Sequence, residues 1–397
     1  MSHAEECTVE GPLEGTARSL QGVVLFLLLL GAVMIYSTRA PGAALDGGFA
    51  AAWGPLLQQG AKVLVGVLLF ALGASLSPRR LLRHADLLLL LAFVLLALVW
   101  IPGVGAKING ARRWFSFGPG FQPVELARVA LIVWLAARLD RIGPGVKDFA
   151  RGLLPTAAVP GVLAVLLLLQ PDFGSALFFV GLSSLLLILA GARVTHFAGM
   201  LLVALPILIG YAATSLGHVQ RRIDQFLSAD LGHQAKQSLL ALGSGGLTGV
   251  DLGAGMSKLG YLPMVSSDFI LAAIGEELGF VGTSLVILSF LLFTILGARV
   301  AFAQRSIGTF VLAAGLTLSI AMQAIVNVAV VTAAVPTKGI ALPFLSAGGS
   351  SLALSLFAVG VLVRLARTPE EAAPAELPDV GTERPVGPER PEVPRHG

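Results

Sequence analysis

Residues 19–38 read SLQGVVLFLLLLGAVMIYST, a run of 20 positions without a charged side chain. An α-helix needs about 20 consecutive apolar residues to cross the hydrocarbon core of a bilayer. Comparable runs recur along the chain, separated by short polar or Gly/Pro-rich breaks. The pattern predicts an all-α polytopic membrane protein with about ten transmembrane helices. The predicted spans lie near residues 19–38, 59–77, 86–101, 124–140, 152–170, 174–191, 197–215, 268–303, 308–335 and 347–366.

The composition agrees with a membrane protein and excludes an ordinary soluble domain. Of the 397 residues, 55% are hydrophobic and 13% are charged, whereas soluble domains carry about 25% charged residues. The single cysteine, Cys7, excludes an internal disulfide framework. The first 18 residues are acidic and polar rather than basic, so we expect no cleavable signal peptide.

The chain divides into three predicted regions. Residues 1–18 form a cytoplasmic N-terminal tail, and residues 19–366 form the membrane domain. Residues 367–397 are rich in Pro, Glu and Arg and lack apolar periodicity. Such a composition cannot bury a core, so we expect this C-terminal tail to be disordered and, like the N-terminus, cytoplasmic.

The orientation follows from basic residues in the short loops, which mark the cytoplasmic side. With the N-terminus inside, the cytoplasmic cations are Arg79, Arg80, Arg83, Arg138, Arg141, Lys147, Arg151, Arg193, Arg299 and Arg305. Two long outer loops, 102–123 and 216–267, also carry cations, and the second lies between the seventh and eighth spans. Either an anionic ligand accounts for these outer cations or long loops cross regardless of charge.

Polar residues cluster first in the loop after the third span. Residues 109–114 read NGARRW and residues 122–128 read QPVELAR. Glu125 and Arg128 are three residues apart, so they share a helix face and can pair. Trp114 has two interpretations, an interfacial anchor or a functional side chain, and Arg113 can either extend to lipid headgroups or bind a ligand.

Two further breaks have mainly structural interpretations. Residues 170–174 read QPDFG, where Asp172 is best explained as the cap of the following helix. Residues 243–255 are rich in glycine but lack the Gly-Lys-Ser/Thr ending of a nucleotide loop. We therefore expect a flexible connector there.

Ionisable residues at or inside the membrane boundary are functional candidates, because burying a charge in lipid is costly. Asp268 can cap the eighth helix or face a cavity at the bilayer surface, and Lys338 can bind a phosphate or extend to the interface. Glu276 and Glu277 lie about 12 Å deeper and need a partner, a proton or water. Gln323 and Asn327 are best explained as bonds between helices. The histidines show no metal-ligand spacing.

Seven segments recur in order along the chain: NGARRW, QPVELAR, QPDFG, GSGGLTGVDLG, KLGYLP, SDFILAAIGEELG and PTKGIALPFLSAGGSS. Together they resemble the signature of the SEDS family (shape, elongation, division and sporulation proteins). The last outer loop, with Thr337-Lys338-Gly339, looks more like division than elongation members. The resemblance covers nearly the whole membrane region. It implies a ten-span peptidoglycan glycosyltransferase of the cytoplasmic (inner) membrane that polymerises lipid II at the division septum, with both termini cytoplasmic.

The resemblance also implies roles for individual residues. The family's key carboxylate maps onto Asp268, the expected general base. The other expected site residues bind the substrate, and the cations among them offset the diphosphate charge. They are Arg113, Trp114, Glu125, Arg128, Lys338 and Ser346.

The expected partners are lipid II and, among the division proteins, a class B penicillin-binding protein that acts as the transpeptidase; nucleic acid is not expected. No cofactor is certain from the sequence, and assistance by a divalent cation (Mg²⁺ or Mn²⁺) stays open because no oxygen cage is visible.

This sequence departs from the family pattern at several places. Residues 264–267 read MVSS where many relatives have an acidic residue and a histidine, and Phe121 and Gly260 replace an Arg and a Glu of some relatives. These departures weaken any second proton relay or metal role beside Asp268. Two other functions stay open, a lipid II flippase and a scaffold that only recruits the penicillin-binding protein.

Overall fold

The structure is a computed structural model that describes residues 13–108, 111–116, 121–215 and 232–368. The predicted tails therefore lie largely outside the described residues: only residues 13–18 of the first and residues 367 and 368 of the second are included. Part of the predicted long loop, residues 216–231, also lies outside them.

The described chain is mainly helical. Its short elements are a 3₁₀ turn at Gly143–Lys147, a π-helical turn at Phe149–Leu153 and a 3₁₀ turn at Ser257–Leu259. Strands β1 (Gly105–Ile108) and β2 (Ala111–Phe115) form an antiparallel pair. The α-helices are α1 (Glu14–Ala51), α2 (Gly54–Ser75), α3 (Pro78–Arg83), α4 (Ala85–Leu98), α5 (Pro123–Ile142), α6 (Leu154–Leu169), α7 (Phe173–Leu189), α8 (Val194–Ser215), α9 (His233–Ser244), α10 (Ile270–Phe302), α11 (Ile307–Val331) and α12 (Gly349–Arg367).

Each predicted span overlaps one of these helices, so the prediction of an all-α membrane protein is confirmed. The number of ten transmembrane helices stays a prediction, since length and hydropathy alone qualify six segments of the described chain. These are Glu14–Ala51, Gly54–Ser75, Phe149–Leu169, Ile270–Phe302, Ile307–Val331 and Gly349–Arg367.

Helix α12 is buried along almost its whole length, and α2 packs closely against it. Glycines allow the close approach: a Cβ atom on Gly73 would lie 2.5 Å from the carbonyl oxygen of Phe357. Gly66 and Gly360 lie at the same interface. Small residues that let helix backbones meet are typical of packing within membranes.

Gly279 interrupts α10 with a φ of 67° and a ψ of −162°. The backbone N–H groups of Phe280 and Val281, next to this kink, bond the carbonyls of Gly246 and Leu247 at 2.9 and 3.1 Å. The glycine-rich segment is thus bonded into the kink, and the expectation of a flexible connector is wrong for this part of the chain. A side chain on Gly249 would collide with the backbone of α10, which explains the glycine.

A candidate active site where four sequence clusters meet

The β-hairpin after α4 brings the first cluster to the second. Its register pairs Trp114 with Ala106 and Arg112 with Lys107, which leaves Arg113 as the extra residue of a bulge. Bulges redirect side chains, often beside active sites. The guanidinium of Arg113 donates to the carbonyl oxygen of Pro171, and its Nη1 lies 3.8 Å from Oδ1 of Asp172. Trp114, half-buried, follows on the same strand.

Asp172 is the cap of α7, as predicted. Its Oδ1 accepts from the backbone N–H of Ser175 at 3.2 Å, and its Oδ2 accepts from the hydroxyl of Ser175 at 2.8 Å. The side chain is 6% exposed. One buried carboxylate therefore starts a helix and also holds Arg113 by charge.

Lys338 reaches the second cluster from the segment between α11 and α12. Its side chain lies directly over Gly174, where a Cβ atom would overlap its Cε and Nζ atoms. The next residue, Gly339, lies against Asp268: a Cβ atom there would be 2.8 Å from Oδ2 of Asp268. Residues from three distant parts of the chain thus converge.

Asp268 lies in a turn that precedes α10, and its side chain is half-buried. The helix begins at Ile270 with Phe269 at the N-cap position, so Asp268 lies one residue before the N-cap. The amide of Asn327 donates to the carbonyl oxygen of Asp268 at 2.8 Å and to that of Ile340 at 2.7 Å. Asn327 was predicted to form a hydrogen bond between helices. Its amide instead joins the backbone at Asp268 to the backbone at Ile340, two residues after Lys338.

Ser346 also joins the turn before α10 to the segment between α11 and α12. Its hydroxyl donates to the carbonyl oxygen of Ser267 at 2.5 Å and accepts from the N–H of Leu342 at 2.8 Å. The residue is 3% exposed. The backbone N–H of Ala347 donates to the carbonyl of Ser266 at 3.0 Å. These bonds hold the turn before Asp268 in place, and the substrate contact expected of Ser346 stays a prediction.

Arg128 forms the predicted ion pair with Glu125, at 2.5 Å. It also donates to Oε1 of Gln323 at 2.5 Å and lies over the ring of Phe178. Gln323 in turn donates to the carbonyl oxygen of Ala341 at 2.7 Å. Arg128 is 8% exposed and already has an acidic partner. Through Gln323, it helps to hold the backbone at Ala341.

Glu276 and Glu277 bind the loop that precedes the turn. Glu276 accepts from the N–H groups of Met256 and Ser257, at distances from 2.7 to 3.3 Å. Glu277 pairs with Lys258 at 2.8 Å, with side chains 1% and 4% exposed respectively. Ser37 of α1 donates to both oxygens of Glu277. The partners that these deep carboxylates require are therefore found within the chain.

A family model with the description "Cell cycle protein", covering FtsW, RodA and SpoVE, matches residues 18–371. The chain belongs to this family. It is the SEDS family that the sequence motifs predicted. A protein named "Probable peptidoglycan glycosyltransferase FtsW" from Geobacter sp. (strain M18) is 40% identical over 371 residues, covering 91% of this chain and 99% of the relative. "Stage V sporulation protein E" of Bacillus subtilis (strain 168) is 37% identical over 354 residues, covering 87% and 95%.

Solved SEDS structures share the fold. A chain from a structure titled "Structural coordination of polymerization and crosslinking by a peptidoglycan synthase complex" matches with a TM-score of 0.71 and 26% identity, covering 89% of this chain and 98% of the other. The rod shape determining protein RodA of Thermus thermophilus matches with a TM-score of 0.63 and 28% identity, covering 88% and 96%.

The sequence reasoning missed two cations of this SEDS chain. Arg39, in α1, donates from Nε to the hydroxyl of Ser266 at 2.8 Å. Lys62, in α2, donates to the carbonyl oxygen of Ala347 at 2.8 Å. Their position in the sequence, at the boundaries of the first two apolar runs, was the available signal.

No three His, Cys, Asp or Glu side chains in the described ranges come together as a metal-binding group.

Proposed function

We propose that this protein is a peptidoglycan glycosyltransferase that polymerises lipid II into glycan strands. The observation that carries the proposal is the convergence of Arg113, Asp172, Lys338 and Asp268, which lie on four separate segments of a polytopic membrane protein. One half-buried carboxylate beside two cations suits a reaction that needs a base and releases an anionic group. The relatives named "Probable peptidoglycan glycosyltransferase FtsW" support the same activity.

The reaction joins two lipid-linked sugars by a single displacement. The carboxylate of Asp268 takes the proton from the sugar 4-hydroxyl of one lipid II as that oxygen forms a bond to the anomeric carbon of the growing strand. The bond from this carbon to the diphosphate oxygen breaks, and undecaprenyl diphosphate leaves with the electron pair. Attack from the opposite side inverts the anomeric centre. The leaving diphosphate supplies the driving force, so no nucleotide site is needed.

The fixed charges around Asp268 stabilise the leaving group. Lys338 and Arg113 provide the cations that face the converging segments, and Arg128 and Glu125 hold those segments in place. Trp114 lies beside Arg113 and contributes an apolar surface for a sugar ring. A divalent cation (Mg²⁺ or Mn²⁺) bound to the diphosphate would add to this charge compensation.

The partner is a class B penicillin-binding protein, which cross-links the strands that the glycosyltransferase makes. A solved relative of this chain was described as part of a peptidoglycan synthase complex that couples polymerisation to crosslinking. The protein lies in the cytoplasmic membrane with both termini inside and acts at the division septum. The similarity to proteins named FtsW supports the division role.

Two other functions give different results in one set of assays. Purified protein with its penicillin-binding partner is given labelled lipid II in detergent, and the same protein is placed in vesicles to measure lipid II translocation. The proposal predicts glycan strands in the first assay. Translocation without polymer indicates a flippase, and neither activity despite a competent partner indicates a scaffold.

A further inference from the structure

Arg39 and Lys62 lie near the turn that carries Asp268, yet no acidic side chain in the described part of the chain pairs with either. Both are half-buried, and their like charges repel each other. Each uses one N–H bond within the protein, to Ser266 and to Ala347. A guanidinium has five N–H donors and an ammonium has three, so both retain donors for a ligand.

The N-terminus of α12 adds a third positive group at the same place. This helix of 19 residues has Gly348 at its N-cap and no side-chain cap. The aliphatic carbons of Lys62 come within 3.7–3.8 Å of the position that a Cβ atom on Gly349 would occupy. A helix N-terminus carries about half a positive charge, which favours an anion.

Gln59 adds an independent polar group to this place. It precedes Lys62 by three residues and therefore lies on the same face of α2. The side chain is buried, with 3% exposure, and its Oε1 has no hydrogen-bond partner. A buried acceptor without a partner is costly. A hydroxyl or amide N–H of a bound molecule would satisfy it.

We propose that Arg39, Lys62, Gln59 and the N-terminus of α12 form a second phosphate-binding subsite, which holds the phosphate groups of a lipid-linked sugar. Gln59 lies about 4.5 Å along the helix from Lys62. With this spacing, the phosphates lie at the cations, and a hydroxyl or N–H group of the sugar or peptide donates a hydrogen bond to Gln59.

The inference rests on the proposed function, because polymerisation requires two lipid-linked molecules at once. The turn before α10 is contacted at Ser266 by Arg39 and at Asp268 by Gly339, which follows Lys338. One substrate is held by Lys338 and Arg113, and the other is held by the second subsite. The carboxylate of Asp268 belongs to the turn between them.

The test counts lipid II molecules bound to the full-length protein by native mass spectrometry in detergent. The decisive variant is Arg39→Gln/Lys62→Gln. Its matched control is Arg193→Gln/Lys147→Gln, which removes an exposed arginine and an exposed lysine from predicted cytoplasmic loops. The single variants Lys62→Gln and Gln59→Leu extend the test if the double variant does not fold. Phosphatidylglycerol is offered in a parallel titration.

We expect the wild type and the control to bind two lipid II molecules, and the double variant to bind one. Each cation removed should lower the affinity for the second lipid II molecule by about tenfold or more. If the double variant bound two lipid II molecules, the second subsite would be ruled out, and the proposed function would be unaffected. Equal binding of phosphatidylglycerol at the second position would show an ordinary phospholipid site and overturn the substrate assignment. No lipid II on the wild type would contradict the proposed function itself.

Discussion

The buried ion pair between Lys258 and Glu277 should control the stability of the loop that leads to the turn carrying Asp268. Glu277→Gln keeps the shape of the side chain but removes its charge. The ammonium of Lys258, whose side chain is 4% exposed, then has no counter-charge. Breaking a buried pair on one side costs about 3–5 kcal/mol, so the loop at 249–258 should open about a hundredfold to several thousandfold more often.

Hydrogen exchange measured by mass spectrometry reports this opening directly, because Gly253, Met256 and Ser257 donate their N–H groups to the two carboxylates. The matched control is Asp86→Asn, which breaks the ion pair with Arg141. That pair is 53% and 63% exposed, and such surface pairs contribute about 0–1 kcal/mol.

The double variant Lys258→Met/Glu277→Gln provides a second check on the role of the ion pair. It removes both charges, so it should recover much of the loss caused by Glu277→Gln alone. If Glu277→Gln accelerated exchange in the loop no more than Asp86→Asn does around α4, the ion pair would not hold the loop and the reasoning would fail.

Three further predictions concern the groups around the candidate active site. Lys338→Ala should weaken lipid II binding about tenfold or more, whereas Lys147→Ala, on the predicted cytoplasmic side, should not; equal effects in a binding titration would remove the phosphate role. Gly174→Ala should displace the Lys338 side chain and weaken binding while changing thermal stability little, because a flexible lysine can move; unchanged affinity would contradict the contact. Asn327→Leu leaves two backbone carbonyls without their donor, at about 1–3 kcal/mol each, and should lower both the melting temperature and kcat; a normal kcat would show that this amide does not position the base.

The sequence predicted the membrane architecture well, because apolar runs reflect the bilayer directly. Each predicted span overlaps a helix, but α1 continues past the predicted end at residue 38 to a kink at Gly48 and ends at Ala51. Arg39, Pro41 and Asp46 interrupt the hydropathy without ending the helix. The hairpin β1–β2 and helix α9 were not predicted, since short elements in a polar loop leave little periodicity.

The sequence identified most residues of the candidate site, but it did not predict which of them contact each other across the fold. Local spacing identified the Glu125–Arg128 pair and the Asp172 cap, because both depend on neighbours within one helix turn. The contact of Asp268 with Gly339 joins segments 71 residues apart, and no local pattern encodes it. The lysine partner of Glu277 was missed for the same reason, since a glycine-rich loop carries no periodic signal.

The role of Asp268 as general base is tested by glycan-strand formation from purified lipid II by the protein with its penicillin-binding partner. Wild type is compared with Asp268→Asn and with the control Asp251→Asn, which changes an exposed carboxylate of the neighbouring loop. Polymer should form with wild type and with the control, whereas Asp268→Asn should form none while it melts at the same temperature. Polymer from Asp268→Asn at the wild-type rate would contradict the assignment of Asp268 as the general base.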